Sequence, residues 1–507
     1  MQRSIGQLPV EAAKRYGEKT ALVLAERSLT FNELDALSNR FASALFTLGV
    51  RAGDRVTLYS PNCWEWVVSY YGILKTGAVV NPINVMLTPA EVEFVANDCD
   101  ASIVVASHDK AISIQGVKNN SKVREVVAFG DAALPVGMLS FNALLEEASN
   151  KFDIPDVDPH SMSTIGYTSG TTGHPKGACL SHHSILLNVA MTALMHQRSD
   201  KDSVVTALPC PHVYGNVVMS AAVQTGMTLV LHPAFDEKMI LQSIQDNKAT
   251  LFEGVPTMFM FLLNYPDLDA YDLSTLRCCT VGGQTMPVAK MEEVEARFGC
   301  PLIELWGMTE LGGLGTTFAS NGPIKHGSIG VALPYAEARI ADTEDPAKTL
   351  PAGDVGELMI RGGLVMQGYY GNDEATCEAI EPDGWLHTGD VASMDEDGCI
   401  FIVDRKKDMI LTAGYNVYPA ELERVIAGHP DVALVAVGST PDAEKGELAK
   451  AYIVPKVNVA PDADDILSFC REHLAAYKVP RAVQFVDDLP KTSTGKVMRR
   501  ELHTLDD

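Results

Sequence analysis

The chain has 507 residues, with 40 Lys+Arg against 65 Asp+Glu and a formal charge of −25. Its 46% hydrophobic and 21% charged residues are the mix of a globular protein with ample core. At roughly 100–200 residues per domain the length allows about three units. The acidic balance excludes a protein that coats nucleic acid or an anionic membrane, since both need a basic surface to displace counterions.

The N-terminus lacks a basic start followed by an apolar run, so no secretory signal is expected and a cytoplasmic location is. Leu29–Gly49 carries apolar residues at helical spacing, with Thr30 and Glu33 three apart as a capping box. Arg55–Tyr59 reads as a strand, Trp64–Lys75 as a helix and Ser102–Ala106 as a buried strand. The rhythm continues through strands at Val204–Ala207, Thr228–Leu231, Leu251–Glu253 and Thr280–Val281, separated by helices such as Ile185–Met195 and Val288–Phe298. Such alternation predicts mainly parallel sheets covered on both faces. Val217–Leu231 is too short and too broken by polar residues to span a membrane. From about 320, short strands at Glu337–Ile340, Glu357–Arg361 and Cys399–Val403 between Gly, Pro and Asp turns predict a smaller β unit. After Asp404 comes a compact α+β pattern. The ten cysteines include no CxxC pair, so buried free thiols are expected rather than a zinc or redox site.

Charge follows the same division. Residues 405–507 hold 14 Lys+Arg and 16 Asp+Glu, leaving 26 and 49 for residues 1–404. The last fifth is nearly balanced and the rest strongly acidic.

The clearest local signal is Tyr167–Gly177, YTSGTTGHPKG, in which seven of eleven residues are Thr, Ser or Gly. It follows a strand-like approach and precedes a helical run. Glycines let backbone N–H groups turn toward an anion, hydroxyls add donors, and Lys176 adds charge. The spacing is not that of a Walker loop, since the fifth residue after Gly170 is Pro175. Nor is it a nucleophile elbow, because Ser169 stands one place late in GYTSG.

This segment resembles the signature of AMP-forming adenylating enzymes, which include acyl- and aryl-CoA synthetases, firefly-type luciferases and peptide-synthetase adenylation domains. Four further motifs resemble that family in its order: Glu304–Glu310 (ELWGMTE), Gly384–Asp390 (GWLHTGD), Asp404–Asp408 (DRKKD) running into Gly414–Glu423 (GYNVYPAELE), and Pro490–Lys496 (PKTSTGK). The resemblance implies an α/β fold. A large N-terminal domain, 1–404, would hold two doubly wound, mainly parallel sheets and a small β-barrel-like subdomain. A small mobile α+β lid would follow at 405–507.

It also implies roles. Thr168, Ser169, Gly170, Thr171, Thr172, Gly173 and Lys176 would cradle ATP phosphates. Lys496 would bridge the acyl carboxylate and the α-phosphate. Glu310 would hold Mg²⁺, and Thr309 would offer a hydroxyl to phosphate. Asp390 would accept the ribose hydroxyls, with Arg405 beside it. Trp306 and Gly307 would face adenine, where many relatives carry Tyr in place of this Trp. Gly283 and Gln284 would line the adenine edge. Lys407 would be the hinge, and Gly414 would line a pantetheine tunnel for coenzyme A. Lys478, Arg499 and Arg500 read either as contacts to coenzyme A phosphates or as solvated surface charge.

The implied acyl pocket is His212, Tyr214, Val217, Val255, Gly282 and Met308. It contains no Arg to pair a second carboxylate, and no Asp suited to an α-ammonium. The expected reaction is therefore ATP- and Mg²⁺-dependent ligation of a hydrophobic acid, a medium- or long-chain fatty acid, to coenzyme A. An aryl acid, or a carrier-protein thiol as acceptor, is the alternative. Small molecules are the expected partners, and a homodimer is left open.

Overall fold

Runs of Val, Ile and Leu form the central strands of two parallel sheets, because strands covered on both faces need apolar side chains on both. The computed structural model describes residues 4–25, 27–130, 133–168, 175–406, 408–412, 415–442, 446–456, 459, 462–491 and 497–506.

One sheet has nine strands. Its parallel centre runs Thr20–Val23, Thr228–Leu231, Ser203–Thr206, Leu251–Gly254, Cys278–Gly282 and Leu302–Met308. Antiparallel strands close both edges. The second sheet has seven strands, all parallel except its last, Lys176–Ser181. The small β subdomain is a four-stranded antiparallel meander from Ala336 to Arg405. A five-stranded sheet with helices Pro419–Ile426 and Ala463–His473 forms the smaller C-terminal domain.

Local signals explain many boundaries. Helix Phe31–Thr47 starts on a reciprocal box in which Thr30 accepts from the Glu33 N–H and Glu33 accepts from the Thr30 N–H. Helix Val213–Thr225 ends on Gly226 at φ 79°, the left-handed conformation that favours glycine.

Two expectations need correction. The Gly/Ser/Thr-rich segment does not lead directly into a helix. Met162–Thr168 and Lys176–Ser181 pair antiparallel, and helix His182–Met195 follows only after the second strand. The cysteines are not uniformly buried either: Cys377 is exposed. Among the described residues no helix is long and apolar enough to cross a membrane.

Ligands of parallel α/β sheets bind outside the carboxyl ends of the strands. Here the carboxyl ends of both sheets border one cavity. That arrangement places the site.

Candidate active site

Strand Leu302–Met308 carries Trp306 and Gly307 past its last parallel pairing. A Cβ on Gly307 would stand 2.1 Å from the Gly313 carbonyl oxygen, so only glycine lets these two segments approach. The Trp306 indole N–H donates to Asp390 Oδ2 at 2.7 Å. Arg405 Nε lies 3.1 Å from Asp390 Oδ1. Asp390 and Arg405 are themselves register partners on adjacent antiparallel strands. The three residues are thus tied to one another, and the Asp390 side chain is only 6% exposed. A carboxylate has about four acceptor sites, so Asp390 keeps capacity for a hydroxyl.

Thr309 and Glu310 follow in a short 3-10 turn. Thr309 packs against strand Met162–Thr168, where a Cβ on Gly166 would meet its methyl at 2.6 Å. Glu310 is buried, and its Oε1 accepts from the Tyr369 hydroxyl at 2.8 Å. Burial, and then the Glu310 charge, push the Tyr369 phenol well above its ordinary range. Lys176 Nζ stands 5.4 Å from the centre of the same ring. Tyr369 therefore links the end of the Gly/Ser/Thr-rich segment to Glu310. Nothing in the sequence marked it, because it lies 59 residues from Glu310 in no recognised spacing. Thr168 pairs in register with Lys176. Ser169, Gly170, Thr171, Thr172 and Gly173 lie outside the described residues.

The cavity between the sheets has a volume of about 530 Å³. Thr309, Gly166 and His212 are among its lining residues, and so are Phe235, Met258 and Phe261. Prolines at 61, 82, 209, 211 and 233 supply much of the rest. Of the six residues expected to form the acyl pocket, His212 lines this cavity. The other five are not among its lining residues. Tyr214 is buried with its hydroxyl 2.6 Å from Thr280 Oγ1. Val217 is fully buried against Gly313. Gly282 packs on Leu305, and Val255 is buried beside exposed Gly283. Met308 and Gln284 are half-buried.

Lys491, from the C-terminal domain, is the one formally charged lining residue among those described. Its ammonium pairs with Asp488 and lies 5.8 Å from the Phe261 ring centre. Lys407, Gly414 and Lys496 lie outside the described residues. Flanking Lys496, Lys491 and Val497 form a bridge, and the Met498 N–H donates to the Pro490 carbonyl at 2.8 Å. Two readings of surface charge change. Arg499 is largely covered and pairs with Asp404, Asp408 and Glu423. Lys478 pairs with both Glu421 oxygens, at 2.7 and 2.8 Å. Neither is a free solvated cation.

Comparison with known proteins agrees with this layout. The family model described as AMP-binding enzyme matches residues 10–370, and that of the AMP-binding enzyme C-terminal domain matches 421–496. The chain is 34% identical over 528 aligned positions to a long-chain-fatty-acid–CoA ligase of Bacillus subtilis, covering 99% of this chain and 94% of that one. It is 36% identical over 510 positions to a 3-[(3aS,4S,7aS)-7a-methyl-1,5-dioxo-octahydro-1H-inden-4-yl]propanoyl:CoA ligase of Rhodococcus jostii, covering 97% and 96%. The crystal structure of the anthranilate CoA ligase AuaEII with anthranoyl-AMP superposes with a TM-score of 0.94 at 29% identity, covering 100% of this chain and 99% of that one.

Proposed function

Because the chain belongs to the AMP-binding enzyme family and is an AMP-forming acyl-CoA synthetase, we propose that it activates a hydrophobic, singly charged carboxylic acid, a medium- or long-chain fatty acid. The observation that carries this is the cavity. Its volume of about 530 Å³ falls within the roughly 300–1,000 Å³ that encloses a small molecule. Its walls are mostly apolar. Its one described cation, Lys491, already has Asp488 as partner, which leaves no charge for a second carboxylate.

The acid needs no general base, since a carboxyl with a pKa of about 4 is ionised at neutral pH. One carboxylate oxygen bonds to the α-phosphorus of ATP. The bond from that phosphorus to the bridging oxygen breaks, and pyrophosphate leaves. Anion must approach anion, so positioning and fixed cations do the catalytic work. Lys496 neutralises charge on the carboxylate and the α-phosphate. Trp306 and Arg405 hold Asp390 toward the ribose. Thr168 to Gly173, Lys176 and Thr309 meet the phosphates.

Glu310 fits a magnesium site, because the ion is commonly held by one or two carboxylates plus phosphate oxygens and Tyr369 fixes one oxygen of Glu310. Bound there, Mg²⁺ would offset phosphate charge. In the second half-reaction the thiol of coenzyme A gives up its proton to water, its sulfur bonds to the acyl carbon, and the acyl carbon–oxygen bond breaks so that AMP departs. Turning of the C-terminal domain about Lys407 withdraws Lys496 and brings Gly414 to the thiol channel. Glycine suits a place where a side chain would block passage.

An aryl acid is the second reading, favoured by the similarity to the anthranilate CoA ligase. Pyrophosphate release measured over acids of graded chain length and aromaticity, with and without coenzyme A, decides between them. Selectivity rising with chain length supports a fatty acid. A maximum at benzoate-sized acids favours the aryl reading. Pyrophosphate release unaffected by coenzyme A, with no thioester formed, would point to a carrier-protein acceptor.

A further inference from the structure

Asp404 belongs to the N-terminal domain by its backbone, since strand Ile400–Arg405 pairs with Leu386–Met394 in the four-stranded sheet. Its side chain, 1% exposed, faces the other domain. Oδ2 accepts from the Ala420 N–H at 2.6 Å, at the start of helix Pro419–Ile426. Oδ1 accepts from Arg499 Nη1 at 2.9 Å. Arg499 also makes a fork to Glu423, with Nε to Oε1 at 3.0 Å and Nη2 to Oε2 at 2.6 Å, and reaches Asp408 at 3.2 Å. A guanidinium suits this place because its donors are fixed in a plane and can hold several carboxylates at once.

The position of Arg499 in the chain gives this cluster a consequence. Met498, its neighbour, donates to the Pro490 carbonyl, and Val497 bridges to Lys491. Lys491 in turn lines the cavity over Phe261. A continuous set of bonds therefore runs from Asp404 in one domain, through Arg499, to Lys491 and Val497, the described residues on either side of the segment that carries Lys496.

We propose that Arg499 is a positioning residue for adenylation: its bond to Asp404 sets the bridged pair Lys491 and Val497 against the cavity in this arrangement of the domains. The proposal rests on the reading of Lys496 as the adenylation lysine. On the reading that the C-terminal domain turns about Lys407, the Asp404–Arg499 pair belongs to this arrangement and serves the first half-reaction. Asp404→Asn is the mild test, because an amide oxygen still accepts from the Ala420 N–H while the ion pair is lost.

The measurements are single-turnover pyrophosphate release from acid and ATP, and thioester formation from supplied acyl-AMP and coenzyme A. In Asp404→Asn and Arg499→Gln the first should fall about tenfold or more, and the second should change by less than about twofold. Combining the two substitutions should cost no more than either alone, as coupled partners do. Arg499→Lys, which keeps the charge and the fold of the junction, should fall between these and the wild type. Equal loss of both half-reactions, or unchanged adenylation in folded Asp404→Asn, overturns the proposal. Should Lys496→Ala leave adenylation intact, the underlying reading fails instead. Should Lys496→Ala abolish it while Asp404→Asn does not, only the role of Arg499 fails.

Discussion

The two domains are held by different kinds of contact. One apolar cluster runs from Ile5 to Ile400 through both large sheets and into the four-stranded one. The apolar clusters of the C-terminal domain start at Ile410 and share no buried residue with it. Among the described residues, polar contacts do cross the junction. They include Asp404 to Ala420 and Arg499, Lys406 Nζ to Glu357 Oε2 at 3.1 Å, Arg424 Nη2 to the Ile402 carbonyl at 3.4 Å, and Lys491 over Phe261. Burial of apolar area is cumulative and non-directional, and separating it exposes the whole area to water. Ion pairs and single hydrogen bonds are local and can be remade in another geometry. The contrast fits the proposed turning of the small domain against a larger one that keeps Trp306, Asp390 and Glu310 in place.

The largest expected effect comes from removing what the small domain delivers. Lys496→Ala should lower pyrophosphate release by about a thousandfold, the scale of losing a group aimed at developing charge. Thioester formation from supplied acyl-AMP should survive. Parallel loss of both would mean the small domain does not divide its work. On the rigid side, Glu310→Gln should cost about a hundredfold in adenylation, with the loss partly relieved by raised Mg²⁺. A loss indifferent to magnesium would assign Glu310 to packing with Tyr369.

Motion itself is tested next. Proline fixes φ near −65° and removes an N–H. Lys407→Pro should slow thioester formation by about 10–100-fold and spare pyrophosphate release, because closure of a domain would then limit one half-reaction only. Trp306→Phe should do less. It removes the donor to Asp390, worth about 1.5–3 kcal/mol for a hydrogen bond to a charged group. The readout is a roughly tenfold rise in KM for ATP with kcat little changed. A fall in kcat at unchanged KM would place Trp306 in the chemical step.

Much of this comparison was legible in the sequence and part was not, for a physical reason. Strands such as Arg55–Tyr59 and the capping box at Thr30 are local, written in adjacent residues, and the structure has them where the pattern put them. The change of texture near 320 and after Asp404 likewise reflects local turn chemistry. What escaped is set by long-range packing. The strand Lys176–Ser181 exists because Met162–Thr168 lies beside it. The cavity walls come from prolines scattered between 61 and 233, which meet only once two sheets are assembled. Arg499 looked like a surface cation because its three carboxylates are 76 to 95 residues away in sequence. Tyr369 was invisible for the same reason.

The smallest effect sharpens the comparison at one residue. Glu304 is on the strand that carries Trp306, and its Oε2 accepts from the Gly327 N–H at 3.0 Å. Burial pushes its carboxyl up from 4.5 to about 7, against the pull of the Gly327 N–H and of Arg424 in the C-terminal domain. A carboxyl raised in the folded state binds more protons there than in the unfolded chain. Its stabilising contribution is full below about 4.5 and is lost as pH rises through about 7. Glu304→Gln, still able to accept from Gly327, should remove that slope. The gain near pH 8 should be about 1–3 kcal/mol at one pKa unit per 1.36 kcal/mol, read as unfolding midpoints of both proteins at pH 5 and pH 8. Should the two proteins instead keep the same slope, Glu304 would be ionised in the fold.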